Sequence, residues 1–239
     1  MCPAPVLNVP VRFVRALPVL SVVLLAGCGV AGTQFHPGVA AEVGDQTITT
    51  RHVDEVTDNY CKGIETLSEA EPQPNDQPVP LRYVTNQFVT VLVEREIAEQ
   101  LADEYDVQPS SASKGALATI EPQLEGLSED QKDAFDEILG ARAYTNDVLT
   151  QIGEISLEDQ GTTDATEDDQ LAEGQKLLKQ WAADHGVEIN PKYAVDLDAP
   201  GQVDTDLSLA VGSTAKAGLK AEPDPAYTSS LPGHLVCLD

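Results

Sequence analysis

Apolar residues recur along this chain at three- and four-residue steps in several blocks, and prolines, glycines and acidic runs separate the blocks. Before the first block, Ala41 to Thr50 places a Gly44-Asp45 turn between two short β-prone pieces, which predicts a hairpin. Thr49 or Thr50 can then cap a helix with Asp54 and Glu55 expected in its first turn, where the helix dipole favours acids. Val53, Val56, Tyr60, Ile64 and Leu67 give that helix one apolar face over about four to five turns, with Cys61 beside it. Ser68 to Pro80 is proline-rich and ends it. A second helix is predicted from near Leu81 to about Tyr105, with Val84, Phe88, Val91, Leu92 and Leu101 on or near one side, and Asp106-Val107-Gln108-Pro109 stops it.

A third helix, capped by Ser110 or Ser111, carries Leu117, Ile120 and Leu124, although Gly115 and Pro122 interrupt its pattern. Ser128-Glu129-Asp130-Gln131 is a capping box, and Phe135, Ile138, Leu139, Val148, Leu149 and Ile152 continue from it with helical spacing. The stretch at about 153–167 reads as an exposed acidic linker. Thr166-Glu167-Asp168-Asp169 is a second capping box, opening a fifth helix with Leu171, Leu178, Trp181 and Ala182 on its stripe and Gly186 as its stop. Trp181 is expected in the core. Val187 to Pro191 alternates like a short strand, and 194–239 reads as an irregular C-terminal tail in which Cys237 alone argues for order. No internal repeat is present. The fold class predicted is mainly α, one elongated helical domain with a short hairpin and strand element, a flexible tether and that tail.

Ahead of residue 41 the pattern changes. An apolar run starts at Ala16, Arg12 and Arg15 precede it, no acidic residue occurs before Glu42, and the run is too short to span a bilayer, so the region reads as an export signal. Its closing Leu25-Ala26-Gly27-Cys28 resembles the lipobox of bacterial lipoproteins. That resemblance implies a signal peptide over 1–27, a lipidated Cys28 carrying acyl chains such as palmitate, and a tether over 28–40. Two acyl chains supply the anchoring that one cannot. The protein is then expected on the extracytoplasmic face of the cell membrane, held there by lipid. An ordinary cleaved signal peptide or an uncleaved anchor would be the other readings.

Charge narrows the partners. The chain has 14 Lys and Arg against 40 Asp and Glu, and loss of Arg12 and Arg15 with the signal moves its net charge from −26 to about −28. Such a surface repels phosphate backbones and anionic headgroups, so no nucleic acid is expected and the only membrane contact is the lipid. About 210 residues suffice for a real core, but four Phe, one Trp and one Met make the large apolar supply modest. Of the four cysteines, Cys2 leaves with the signal and Cys28 is consumed by the thioether. Cys61 and Cys237 remain, and in an oxidising compartment they are expected to form a disulfide, two free thiols or a partner-linked one being the alternatives. In the chain-entropy model a loop this long gives roughly 5 kcal/mol as an upper figure.

The order of elements resembles the SurA/PrsA-type extracytoplasmic foldases over about residues 41–193. Val43-Gly44-Asp45-Gln46-Thr47-Ile48-Thr49 is similar to the family's opening hairpin, Arg95 to Ala102 to its long second helix, and Asn190-Pro191-Lys192-Tyr193 to its closing strand, where Ala194 stands in place of a usual Gly. The resemblance implies a chaperone-like helical core whose late helix packs back on the early ones. It also implies a prolyl isomerase (parvulin) domain between them, for which the short acidic linker leaves no room. A peptidyl-prolyl isomerase is thus a distant alternative and no enzyme is expected.

Other chemistry is thin. His36, His52, His185 and His234 are isolated from one another and from cysteines, so no metal or other cofactor is expected. Asp196, Asp198, Asp204 and Asp206 lack the Gly and terminal Glu of a helix-loop-helix calcium site. Ser229, Ser230 and His234 lack a nucleophile elbow, and Asp133, Asp136 and Glu137 are expected to face water. The function expected is a non-catalytic chaperone or holdase for unfolded exported polypeptides. Its rival is an envelope module that binds one folded partner or a cell-wall component. Periodicity cannot tell core from groove, so client-binding residues are not identified at this level.

Overall fold

The computed structural model describes residues 37–72, 76–193, 195–197, 212–218, 220 and 224–238, the side chains of 112 and 215 excepted. In chain order the elements are β1 (Val39–Val43), β2 (Gln46–Thr49), α1 (Thr50–Ala70), β3 (Val79–Pro80), α2 (Leu81–Tyr105), α3 (Ser111–Ile120), α4 (Glu129–Asp159), α5 (Glu167–His185), β4 (Glu188–Ile189), α6 (Ser213–Ala217), α7 (Pro225–Thr228) and β5 (Val236–Cys237), with 3-10 turns at Glu121–Leu124, Pro191–Tyr193 and Gly233–Leu235. The fold is mainly α with small antiparallel pairings, as the periodicity predicts.

Caps set most helix starts. The Thr49 hydroxyl accepts from the His52 amide and opens α1. Because α1 begins at Thr50, Asp54 and Glu55 fall beyond its first turn, a correction to the expected dipole placement, and the helix continues to Ala70. The capping boxes of Ser128 with Gln131 and of Thr166 with Asp169 are both formed, so each leaves two amides satisfied at the start of α4 and α5. Gly186 closes α5 in the left-handed region at φ 66°. Asp106 does the same for α2 at φ 53°, where short Asp side chains are better tolerated than most.

The core lies where α2, α4, α5 and the sheet meet. Ile97, Ile138, Ile152, Val43, Val53, Val89, Val93 and Val148 are almost wholly excluded from solvent. Helix α2 is more central than one apolar side suggests, since Phe88 to Val93 are buried without a break. A helix buried all round over two turns must have partners on every side, and here they are α1, α4, α5 and β1. A smaller cluster of Leu124, Leu127 and Phe135 sits under α1. Tyr60 links the two clusters, stacked on Phe135 at 4.2 Å between ring centroids and edge-on to Phe88 at 4.9 Å.

The sheet is small but joins distant parts of the chain. β1 is central in the order β2-β1-β4, pairing with β2 through the Gly44-Asp45 turn and with β4 from beyond α5. Asn190 reinforces that closure by donating from its side chain to the Val39 carbonyl at 2.9 Å. Val39 and Ala40 are therefore buried strand residues, and the tether expected over 28–40 ends before them. A second pairing lays β5 against β3.

Two further expected boundaries are overturned. The linker placed at about 153–167 begins only after Asp159, because α4 runs through Gly153 for two further turns. Gly153 is there for contact, not for a stop: a Cβ on it would lie 1.8 Å from the Gln170 carbonyl oxygen, and one on Gly174 would lie 2.0 Å from the Leu149 carbonyl oxygen. Helices α4 and α5 thus meet backbone to backbone. The tail expected to be irregular over 194–239 is also partly ordered, with α6, α7 and the buried β5 among its described residues.

Because the nearest atoms to a Cβ at either glycine are backbone that cannot move aside, Gly153→Ala and Gly174→Ala are each expected to destabilise the fold by roughly 3 kcal/mol or more, at the upper end of overpacking effects. Urea unfolding midpoints measure this, and an unchanged midpoint for either variant would rule out the close crossing.

Candidate functional site

Three helices line a recess with an apolar floor and charges of both signs on its rim. Its volume is about 390 Å³, and it lies between α2, α3 and α4. Leu92 from α2, Ala141 and Tyr144 from α4 and Leu117 from α3 supply the apolar surface. Arg95, Glu96 and Glu99, one turn along α2, meet Lys114 of α3 and Asp136 and Glu137 of α4 around the edge.

Helix α3 is the roof, and it is lightly seated. None of its described side chains is buried, and Leu117 rests over Gly140, where a Cβ would come within 3.4 Å of its Cδ1. Its ends are pinned. The Ser110 amide and hydroxyl donate to Asp147 at 2.6 and 2.8 Å, and Gln151 donates to the Gln108 carbonyl at 3.2 Å. Beyond α3, Leu124 is held in the small apolar cluster.

One cation of the rim also packs on the floor. The Arg95 guanidinium lies over the Tyr144 ring, 4.1 Å from its centroid, and pairs with Glu99. Its Nε is shut off from solvent and has no acceptor. Beside it, burial raises the Glu96 pKa, the nearby Glu99 charge adds to the effect and Arg95 opposes it. Burial likewise raises the Tyr144 pKa, with Glu99 contributing and Arg95 opposing. This is a partly desolvated site whose groups hold their neutral forms more readily than free side chains do.

The residues singled out in the sequence are mostly elsewhere. Cys28 lies outside the described residues, as do Cys2, His36, Asp198, Asp204 and Asp206. Cys61 and Cys237 are bonded to each other with Cα atoms 5.1 Å apart, away from the groove. His52 bonds Glu137 at 2.6 Å, tying the start of α1 to α4. Glu137 is therefore half-buried and engaged, whereas Asp133 and Asp136 face water as expected. Trp181 is core: its Nε1 donates to Glu104 at 2.7 Å and its ring stacks on His185 at 4.1 Å. Ser229 and Ser230 donate to local carbonyls of Ala226 and Tyr227. Among the described residues no cluster of His, Cys, Asp and Glu could hold a metal, and no helix is long and apolar enough to cross a membrane.

Periodicity did not mark the groove, since Leu92, Leu117 and Ala141 share the spacing of core residues. The alternation of Arg95, Glu96 and Glu99 with that stripe is the signal that could have pointed to it. Neither a family model, nor a curated protein, nor a solved structure matches the chain. Fold and site together define a helical, disulfide-stapled domain with a small apolar groove between α2, α3 and α4.

Two outcomes are expected here. Gly115 lies mid-helix in α3 with nothing within 4 Å of a would-be Cβ, so Gly115→Ala is expected to stabilise the fold by up to about 1 kcal/mol in urea unfolding. Glu94, across α2 from the groove, has its pKa raised by burial, offset in part by Arg142 and then Lys179. A raised folded pKa means that this group's contribution to stability declines as pH climbs from the ordinary carboxylate range through the folded value. Glu94→Gln is therefore expected to raise the thermal midpoint at about pH 7 and to leave it nearly unchanged at about pH 4. A lowered midpoint at the higher pH would show that the charge is instead stabilised by Arg142 and Lys179.

Proposed function

We propose that this chain is an exported, lipid-anchored, non-catalytic chaperone that holds apolar segments of unfolded exported polypeptides. The observation that carries the reading is the groove: an apolar floor with charges of both signs on its rim. A side chain of an extended segment fills the floor, and the charged rim faces the polar backbone on either side of it. Specificity is low because the rim offers charges of both signs and no fixed set of donors. That suits many clients. The apolar leader ending at Cys28 supports the location, and the element order, similar to that of the SurA/PrsA-type foldases without their isomerase domain, supports the class.

The test is suppression of aggregation. Residues 29–239, added to a chemically unfolded reporter protein on dilution, are expected to lower light scattering in proportion to their concentration. Leu117→Asp, which charges the roof at a half-exposed position, is expected to weaken the effect about tenfold, or about 1.4 kcal/mol, with helicity by circular dichroism unchanged. No suppression at molar excess would overturn the reading. Recovery of one stoichiometric folded partner after crosslinking on membranes would assign an envelope interaction module instead, and catalysed proline isomerisation would assign an enzyme.

A further inference from the structure

Residues 225–238 differ in character from the charged helices that precede them. The chain contains 40 acidic residues, yet Pro-Ala-Tyr-Thr-Ser-Ser-Leu-Pro-Gly-His-Leu-Val-Cys-Leu has none, and no Lys or Arg either. The stretch is not held by a packed helix. After the single turn of α7 it passes through a turn and the 3-10 helix Gly233–Leu235, and only its end, β5, is extended, lying antiparallel to β3 with Val236 opposite Pro80 and Cys237 opposite Val79. Val236 and Cys237 are buried there, and β5 touches α1 and α2 as well as β3. The extended end of an uncharged segment on a strand edge, with main-chain pairing and one seated apolar side chain, is a short version of how proteins add a foreign peptide to a sheet. Pro78 and Pro80 remove the amides on either side of Val79, which limits the edge to a short pairing.

We propose that Val79–Pro80 and the adjoining faces of α1 and α2 form an acceptor for uncharged polypeptide segments with a short extended end, that residues 225–238 are its built-in occupant, and that the Cys61–Cys237 disulfide locks the occupant in place. This rests on the chaperone reading and adds a second, gated surface to it. Thr228, Val236 and Cys237 are the buried residues of the segment. Burying so little does not offset the entropy of ordering the whole stretch, so the covalent link holds it.

Opening the lock takes a dithiol reductant. Its thiolate attacks one sulfur, the Cys61–Cys237 bond breaks as a mixed disulfide forms, and the reductant's second thiolate displaces the remaining cysteine. Two electrons pass to the protein, Cys61 and Cys237 each take up a proton as thiols, and the reductant leaves as its own disulfide. Both cysteines are buried, so the attack proceeds through fraying of the segment.

The test compares the oxidised full chain, the chain reduced with dithiothreitol, and Cys237→Ser. Amide exchange in residues 225–238 and at Val79 is expected to be about tenfold faster or more in the last two, with α4 equally protected in all three. A fluorescein-labelled peptide of residues 225–238 carrying Cys237→Ser is expected to bind the reduced chain and the Cys237→Ser variant and not the oxidised chain. Val236→Asp added to Cys237→Ser should strengthen that binding by loosening the chain's own segment. Unchanged protection of 225–238, failure of the freed chain to take up the peptide, or loss of α4 protection on reduction each overturns the proposal. Aggregation suppression by the oxidised chain reads the groove separately: peptide uptake without suppression would overturn the chaperone reading and leave the acceptor standing.

Discussion

The contact on which the structure depends most is the one made without side chains, between Gly153 in α4 and Gly174 in α5. Backbone contact fixes the separation and the rotation of two helices more tightly than interlocking side chains do, because there is no rotamer to adjust. Helix α4 touches α1, α2, α3 and α5, so wherever it lies the others are placed. Seating α5 at this distance presents Leu178 and Trp181 to the core and lets the Trp181 indole reach Glu104 on α2. It also delivers the chain, through Gly186, to β4 at the side of β1. Sheet, core and late helix are thus set by one crossing.

How the chain folds with so few cations is a matter of what its carboxylates accept from. With 40 acids and 14 Lys and Arg, most acids can have no basic partner. The ion pairs of Arg51, Lys62, Arg95, Lys132, Lys176 and Lys220 are local, each with a partner three or four residues away. The contacts between elements use other donors. Glu104 accepts from the Trp181 indole, Asp147 from Ser110, Glu137 from His52 and Glu173 from Ser156 and Gln160 as well as from Lys176. These bonds hold the Glu173 pKa below its usual value, with Lys176 the largest cause. Hydroxyls, an indole, an imidazole and an amide do between helices what arginine does in a more balanced chain. Such bonds are also less sensitive to salt than a paired-charge surface would be.

The sequence was most legible where structure is local. Both capping boxes, the Thr49 cap, the bounds of α2 and the Gly186 stop follow from residue types within four positions, and each forms as expected. Reading failed where a residue answers to something far away. Gly153 has the look of a helix breaker, and only Ile155, which continues the stripe of Val148 and Ile152, hinted that the helix ran on. Gly174, its counterpart, sits inside a sound helical pattern and gave no sign. Val236 and Cys237 have too short a pattern to mark a strand, and what orders them is a bond to a residue 176 positions earlier. The groove was hidden for another reason, since its floor has the spacing of a core and differs from one only in what fails to cover it.

The placement of β1 between β2 and β4 bears on the order in which the chain can fold. A chain emerging from its N-terminal end completes the β1–β2 hairpin at once, because the two strands are separated by a two-residue turn. The other edge of β1 finds its partner only after α5 is made, and the Asn190 bond to Val39 closes across 151 positions. Until then that edge is an open row of amides and carbonyls on a strand whose residues are destined for burial. A protein proposed to guard unfolded chains therefore spends most of its own synthesis as one of them.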